Sequence, residues 1–222
     1  MENKVDKNSI KCPNIILCEG KDEWSFLIYY LQYLIKQDPI FDTFQVMDFG
    51  GITDLKRQFR QLLKMPGFSI VKTITILRDA EKEPRGAKDS ICSTLKSNGY
   101  LAPSNPGEII TESDNIKIAY MLFPSCDDKG DEPGTLEDLC LRIISAPRQK
   151  EVLNEIDGYL NTLSEQYEFK YPRIHKNRLH LFISSYDKFV DAKAGEAGQR
   201  GLYDWNSKYL EKLRMLLGNI AQ

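Results

Sequence analysis

Histidine is nearly absent from this chain: its 222 residues hold only His175 and His180. Both fall near the C-terminus, so histidine acid–base chemistry would require that segment to fold back onto the rest. His180, within "LHLF", reads as a packed, hydrogen-bonded residue. The five cysteines, Cys12, Cys18, Cys92, Cys126 and Cys140, include no C-x-x-C pair. They read as reduced, mostly buried thiols, and not as a zinc site or a disulfide framework. No apolar run reaches membrane-spanning length, and the polar start "MENKVDKNSIKCP" lacks the apolar region of a signal peptide. A cytoplasmic protein with no membrane partner is expected.

Several motifs are missing too. There is no G-x-x-x-x-G-K-[ST] phosphate loop and no nucleophile-elbow serine. "CEGKDE" has one glycine where a dinucleotide fold needs three. Nor is there an excess of positive charge: the formal net charge is −2, which argues against gripping nucleic acid by bulk electrostatics alone. The charge is uneven, however. Residues 1–140 carry 17 basic and 22 acidic side chains, whereas residues 141–222 carry 13 and 10. That division suits either an ordinary solvated surface or a metal site beside a polyanion-binding surface.

What is present is an alternation of short β-rich runs with helical patterns. "NIILC" (14–18), "TFQVMDF" (43–49), "KTITILRD" (72–79) and "KIAYMLFP" (117–124) read as buried strands. Between them, 23–36, 53–64 and 87–100 have helical spacing; Thr53 or Asp54 caps the second, and Asn98-Gly99 stops the third. A Thr-x-x-Asp capping box opens a further helix over 135–144. Helices between consecutive strands imply right-handed crossovers and a mainly parallel α/β sheet, Rossmann-like, covered on both faces. Beyond Pro147 only helical patterns remain. The expected organisation is an α/β domain over 12–145 with a C-terminal helical extension over 146–222 packed on it.

Ligands of such a sheet bind outside the carboxyl ends of its strands. This chain places acids there: Glu19, Asp22 and Glu23 after the first strand, Asp79 and Glu81 at the third, and Asp127, Asp128, Glu137 and Asp138 after the fourth. Half-buried carboxylates repel one another, and a divalent cation removes the conflict. With oxygen ligands only, the hard ions Mg2+ or Mn2+ fit. The competing reading is a solvated acidic surface.

The series "CEGKDEWSF…GG…LRDAE…FPSCDDKG…GTLEDL" resembles the Toprim (topoisomerase–primase) domain, the α/β unit shared by topoisomerases, bacterial primases, ribosomal-RNA maturases and OLD (overcoming lysogenization defect) nucleases. It is most similar to small stand-alone Toprim-like proteins, over residues 12–145. The resemblance implies that Glu19 is a general acid/base or metal ligand and that Asp79 shares the catalytic role. It also implies a metal set of Glu19, Glu23, Asp79, Glu81 and Glu137, with Glu81 one methylene longer than the usual aspartate. Gly20 would allow a tight turn, and Gly50-Gly51 a close backbone approach after the second strand. A basic residue would stabilise charge on the phosphate, with Lys21, Arg78, Lys176, Lys188 and Lys193 as candidates. The expected function is Mg2+- or Mn2+-dependent phosphodiester chemistry on nucleic acid, as a nuclease or phosphotransferase. The alternatives are a non-catalytic module binding a metal, nucleotide, protein partner or second copy through the C-terminal helices, and a plain scaffold.

Overall fold

The computed structural model describes residues 9–50, 55–125 and 132–222. Strands β1 (Asn14–Cys18), β2 (Phe44–Asp48), β3 (Thr73–Asp79), β4 (Ile109–Thr111) and β5 (Lys117–Phe123) form one sheet in the order β2-β1-β3-β5-β4. Pairing is parallel except between β4 and β5. The mainly parallel sheet matches expectation, but β4 does not. It is three residues long and lies in the Pro/Gly/Ser-rich connection, with no buried residue to give it a strand-like pattern.

Helix α1 (Lys21–Gln37) joins β1 to β2, α2 (Leu55–Leu62) lies between β2 and β3, and α3 (Pro84–Ser97) follows β3. Each forms where the chain has an apolar stripe at helical spacing. In α1 the stripe is Phe26, Leu27, Tyr30, Leu31 and Leu34, with Asp22 and Glu23 in the first turn and Lys36 in the last, complementing the helix dipole. The sheet presents alternate residues to two cores. Ile16, Cys18, Leu77, Met121 and Phe123 face α1, while Ile15, Leu17, Ile74, Ile76 and Leu122 face α2 and α3. The α2 caps expected at Thr53 or Asp54, and Cys126, Asp127 and Asp128, lie outside the described residues.

The helices of the C-terminal segment are α5 (Gln149–Tyr167), α6 (Ile174–Ser184), α7 (Ala194–Gln199) and α8 (Glu211–Ala221), preceded by α4 (Leu136–Arg142). They share one continuous apolar core with α1 and the sheet. Trp205 stacks against Tyr30 at 5.6 Å between ring centroids and meets Phe26 at 5.2 Å. Short α7 had no apolar stripe to betray it; its "AGEAGQ" packs by smallness. A Cβ on Gly195 would stand 2.5 Å from Ser25 Cβ and 2.8 Å from the Phe26 backbone nitrogen. The glycine therefore lets α7 lie directly on α1, and that contact seats the C-terminal segment.

Gly195→Ala is expected to lower stability by about 1–3 kcal/mol through overpacking. Gly158→Ala on α5, where a Cβ meets nothing within 4 Å, should raise it by about 0.5–1 kcal/mol. Urea melts of both variants test this, and a neutral Gly195→Ala would remove α7 as the seat of the segment.

Candidate functional site

The chain leaves β1 toward β2 on one side and returns to β3 on the other, so the carboxyl ends of β1 and β3 flank a topological switch point. A cleft of about 870 Å³ opens there, lined by Glu19, Glu23, Asp79, Glu81 and Glu137. All five acids of the metal set that the resemblance implies thus line one cavity, together with Asp22 and Asp138, also expected at the strand ends, and with Asp48.

Each acid is placed by a local device. Asp79 ends β3 and is 7% exposed; its Oδ1 accepts a hydrogen bond from the Leu136 backbone N–H at 2.8 Å, at the start of α4. Glu23, also buried, sits in the first turn of α1 and folds back so far that a Cβ on Gly20 would stand 3.1 Å from its Oε2. Glu137 opens α4 and is 3% exposed. The expected capping box is present, with Asp138 Oδ2 accepting from the Thr135 N–H at 2.9 Å. Glu81, exposed at the cleft lip, takes φ +57°, uncommon for a residue with a side chain. Paired hydrogen bonds of 2.8 Å between its backbone and that of Gly134 hold it there.

Burial makes these anions costly. The Glu23 carboxyl is pushed up to about 7, chiefly by burial and further by the charges of Glu137 and Glu19. Asp79 rises well above the usual carboxylate range for the same first reason, with Glu23 and Glu137 adding to it. Glu19 rises by burial, partly opposed by Arg78, whose Nε lies 3.7 Å from Glu19 Oε2. That separation is an ion pair without a hydrogen bond, and among the described residues Glu19 Oε2, Glu137 Oε2 and two Arg78 nitrogens have no hydrogen-bond partner.

Five basic side chains were candidates from the sequence. Lys176 and Lys21 line the cleft, and Arg78 lies buried beside Glu19. Lys188 and Lys193 are elsewhere: Lys188 lies over the Phe189 ring and Lys193 precedes α7. Lys176 Nζ lies 2.9 Å from Glu137 Oε1 and 3.4 Å from Asp22 Oδ2. Burial alone would lower its ammonium; the hydrogen bond and charge of Glu137 outweigh that and hold it well above the usual lysine value. His175 Nδ1 lies 3.1 Å from Asp138 Oδ1. The C-terminal segment therefore does fold back onto the acids. His180, expected to be packed, is exposed on the other side of α6. Cys18 and Cys140 are buried thiols, while Cys12 and Cys92 are half-buried.

Sequence reasoning passed over Asp48, Arg173 and the Arg142–Glu132 pair, whose two hydrogen bonds of 2.8 and 2.7 Å brace the cleft wall. Asp48 carried a usable signal, as the last residue of a strand just before Gly50. Arg142 and Glu132 meet only through the turn into α4.

As the side chains stand, no group of three or more His, Cys, Asp or Glu among the described residues is arranged to hold a metal ion. The chemistry of the set still fits a hard divalent cation: oxygen donors only, two of them orphaned, on acids whose charge is poorly solvated.

Fold and site together define an α/β protein with an acidic cleft at the switch point of its sheet. The chain belongs to the family described as "Protein of unknown function (DUF3226)", whose model matches residues 13–222 and so takes in both the sheet and the C-terminal helices. No curated protein and no solved structure matches it. Among the described residues, no helix is long and apolar enough to cross a membrane.

The sign of the Glu23 shift gives a test. Its folded value lies above its unfolded one, so the folded state binds the extra proton between about pH 4.5 and pH 7 and Glu23 loses stabilisation as pH rises through that window. The loss is about 3 kcal/mol. Denaturant melts in EDTA should show stability falling across the window in the wild type and a flatter profile in Glu23→Gln. Identical profiles would mean that Glu23 is not held out of water.

Proposed function

We propose that the cleft is a divalent-cation site for phosphodiester chemistry on nucleic acid, of the Toprim type. The observation that carries this is the convergence of Glu19, Glu23, Asp79 and Glu137 in one cleft, three of them buried and two with an oxygen that has no partner among the described residues.

Glu19, Glu23, Asp79 and Glu137 are the residues that would hold Mg2+ or Mn2+, with Glu81 at the lip. A cation bound there supplies Lewis-acid polarisation of the phosphate and a water made more acidic. The remaining roles belong to the chain. The Leu136 amide fixes the Asp79 carboxylate in one orientation. Arg78 sets the charge beneath Glu19. Glu19, partly exposed in the cleft and with its anion disfavoured, serves either as a ligand of the cation or, when outside its coordination, as the group that takes and returns a proton. Arg173 and Lys176, from the turn before α6 and its start, bring positive charge to the wall that a phosphate would face, with His175 beside them.

A polyanion substrate draws further support from α2. This helix carries Lys56, Arg57 and Arg60 and no acid; with Gln61 and Lys64 they line a second concavity of about 370 Å³. The helix follows β2, whose end brings Asp48 and Gly50 to the cleft. A net-acidic chain thus keeps a local basic face of the kind that meets a phosphate backbone.

A second reading, a non-catalytic partner-binding module, draws on α5 and its end, where Tyr159, Tyr167 and Phe169 are more than half exposed.

Calorimetric titration separates the two. Mn2+ should bind the wild type with micromolar to millimolar affinity, and the double variant Glu19→Gln/Asp79→Asn should lose at least about tenfold, which is about 1.4 kcal/mol. Binding should be accompanied by Mn2+-dependent cleavage of single- or double-stranded DNA or RNA. A wild type that binds no Mn2+ at millimolar metal, and cleaves nothing, would favour the partner-binding module.

A further inference from the structure

Glu137 is the most deeply buried acid of the cleft, at 3% exposure, and its two oxygens have different surroundings. Oε1 is 2.9 Å from Lys176 Nζ, whereas Oε2 is buried with no partner among the described residues. The cations of the site also differ in kind. Arg78 is 3% exposed, locked beneath Glu19 by the sheet around it. Lys176 is 38% exposed, on a flexible four-carbon stem, with a second acid, Asp22, at 3.4 Å on the cleft side. One positive charge is built in and the other can leave.

We infer that Lys176 is a tethered counter-ion: its ammonium occupies the Glu137 position in the metal-free protein and is exchanged for the divalent cation on loading. This rests on the cleft being a cation site. A buried carboxylate without a counter-charge is strongly unfavourable, so one must be supplied whenever no metal is bound. An ammonium does this with one charge and one contact, leaving Oε2 unsatisfied. A divalent cation satisfies the carboxylate more fully and repels the ammonium.

The exchange needs no backbone movement, because Asp22 already lies within ion-pair distance as the place to which Nζ retreats. Lys176 therefore lowers metal affinity. In return it keeps the acids from driving the cleft apart when metal is absent. Once released, the same ammonium stands at the mouth, beside Arg173 and His175, facing any anionic ligand. Metal loading thus makes the wall more positive.

Two variants of the full chain test this by Mn2+ titration at mildly alkaline pH. Lys176→Met should bind Mn2+ about tenfold more tightly than the wild type, an effect of about 1.4 kcal/mol. In EDTA the same variant should melt at a lower temperature, with a larger rise on adding Mn2+. Lys21→Met removes a cation that lines the same cleft without an ion pair to Glu137; its affinity should stay within about twofold of wild type, since a solvated charge is screened. A wild type that binds Mn2+ beside a Lys176→Met variant that binds no more tightly overturns the tethered counter-ion and leaves the cation site standing. Absence of Mn2+ binding in both overturns the cation site and the inference with it.

If Lys176→Met does not fold, amine acylation of the wild type, read by mass spectrometry, decides the matter. Mg2+ should speed labelling of Lys176 several-fold relative to Lys21. An unchanged ratio overturns the exchange.

Discussion

Like charge brought out of water is the constraint around which this protein is arranged. Glu23, Asp79 and Glu137 are buried in one cleft, where each raises the cost of ionising its neighbours. Left alone, such a cluster takes up protons or pushes its supporting elements apart. The structure meets the conflict with the Leu136 amide on Asp79, Arg78 beneath Glu19, and Lys176 on Glu137. Among the described residues two carboxylate oxygens of the cleft have no hydrogen-bond partner, so the compensation is incomplete. Incomplete compensation of this kind is expected where a charged ligand completes the set, and clefts with strongly shifted groups are where chemistry concentrates.

The C-terminal helices matter to the site as well as to the core. Gly195 lets α7 lie against α1, Trp205 packs on Phe26 and Tyr30, and α6 is thereby held with His175 and Lys176 over the start of α4. An architecture of sheet plus appended helices would describe the chain order but miss this. The last helices complete the wall that the sheet leaves open.

The acids at the strand ends could be read in advance because a parallel sheet with right-handed crossovers sends every strand's carboxyl end to the same edge. Glu19 and Asp79 follow from strand positions alone. Glu137 is one of several acids beyond the last strand, singled out by the family resemblance, and the Thr135-x-x-Asp138 box announces the helix that carries it. Strand β4 was hidden because three partly exposed residues carry no alternation. Helix α7 was hidden because small residues that pack by close approach look like a loop. The choice of Lys176 over the other cations could not be made from sequence: it depends on α6 packing against α4, a tertiary contact that brings Lys176 to Glu137. His180 went astray for a related reason, since apolar neighbours on a helix say little about which side of it a residue faces.

The most direct test of the cation site is crystallographic: a crystal soaked in Mn2+, measured at the manganese absorption edge. The account predicts an anomalous peak bonded to carboxylate oxygens of Asp79 and Glu137, with Lys176 moved off Glu137 toward Asp22. A cleft with no peak, and Lys176 still on Glu137, would contradict it.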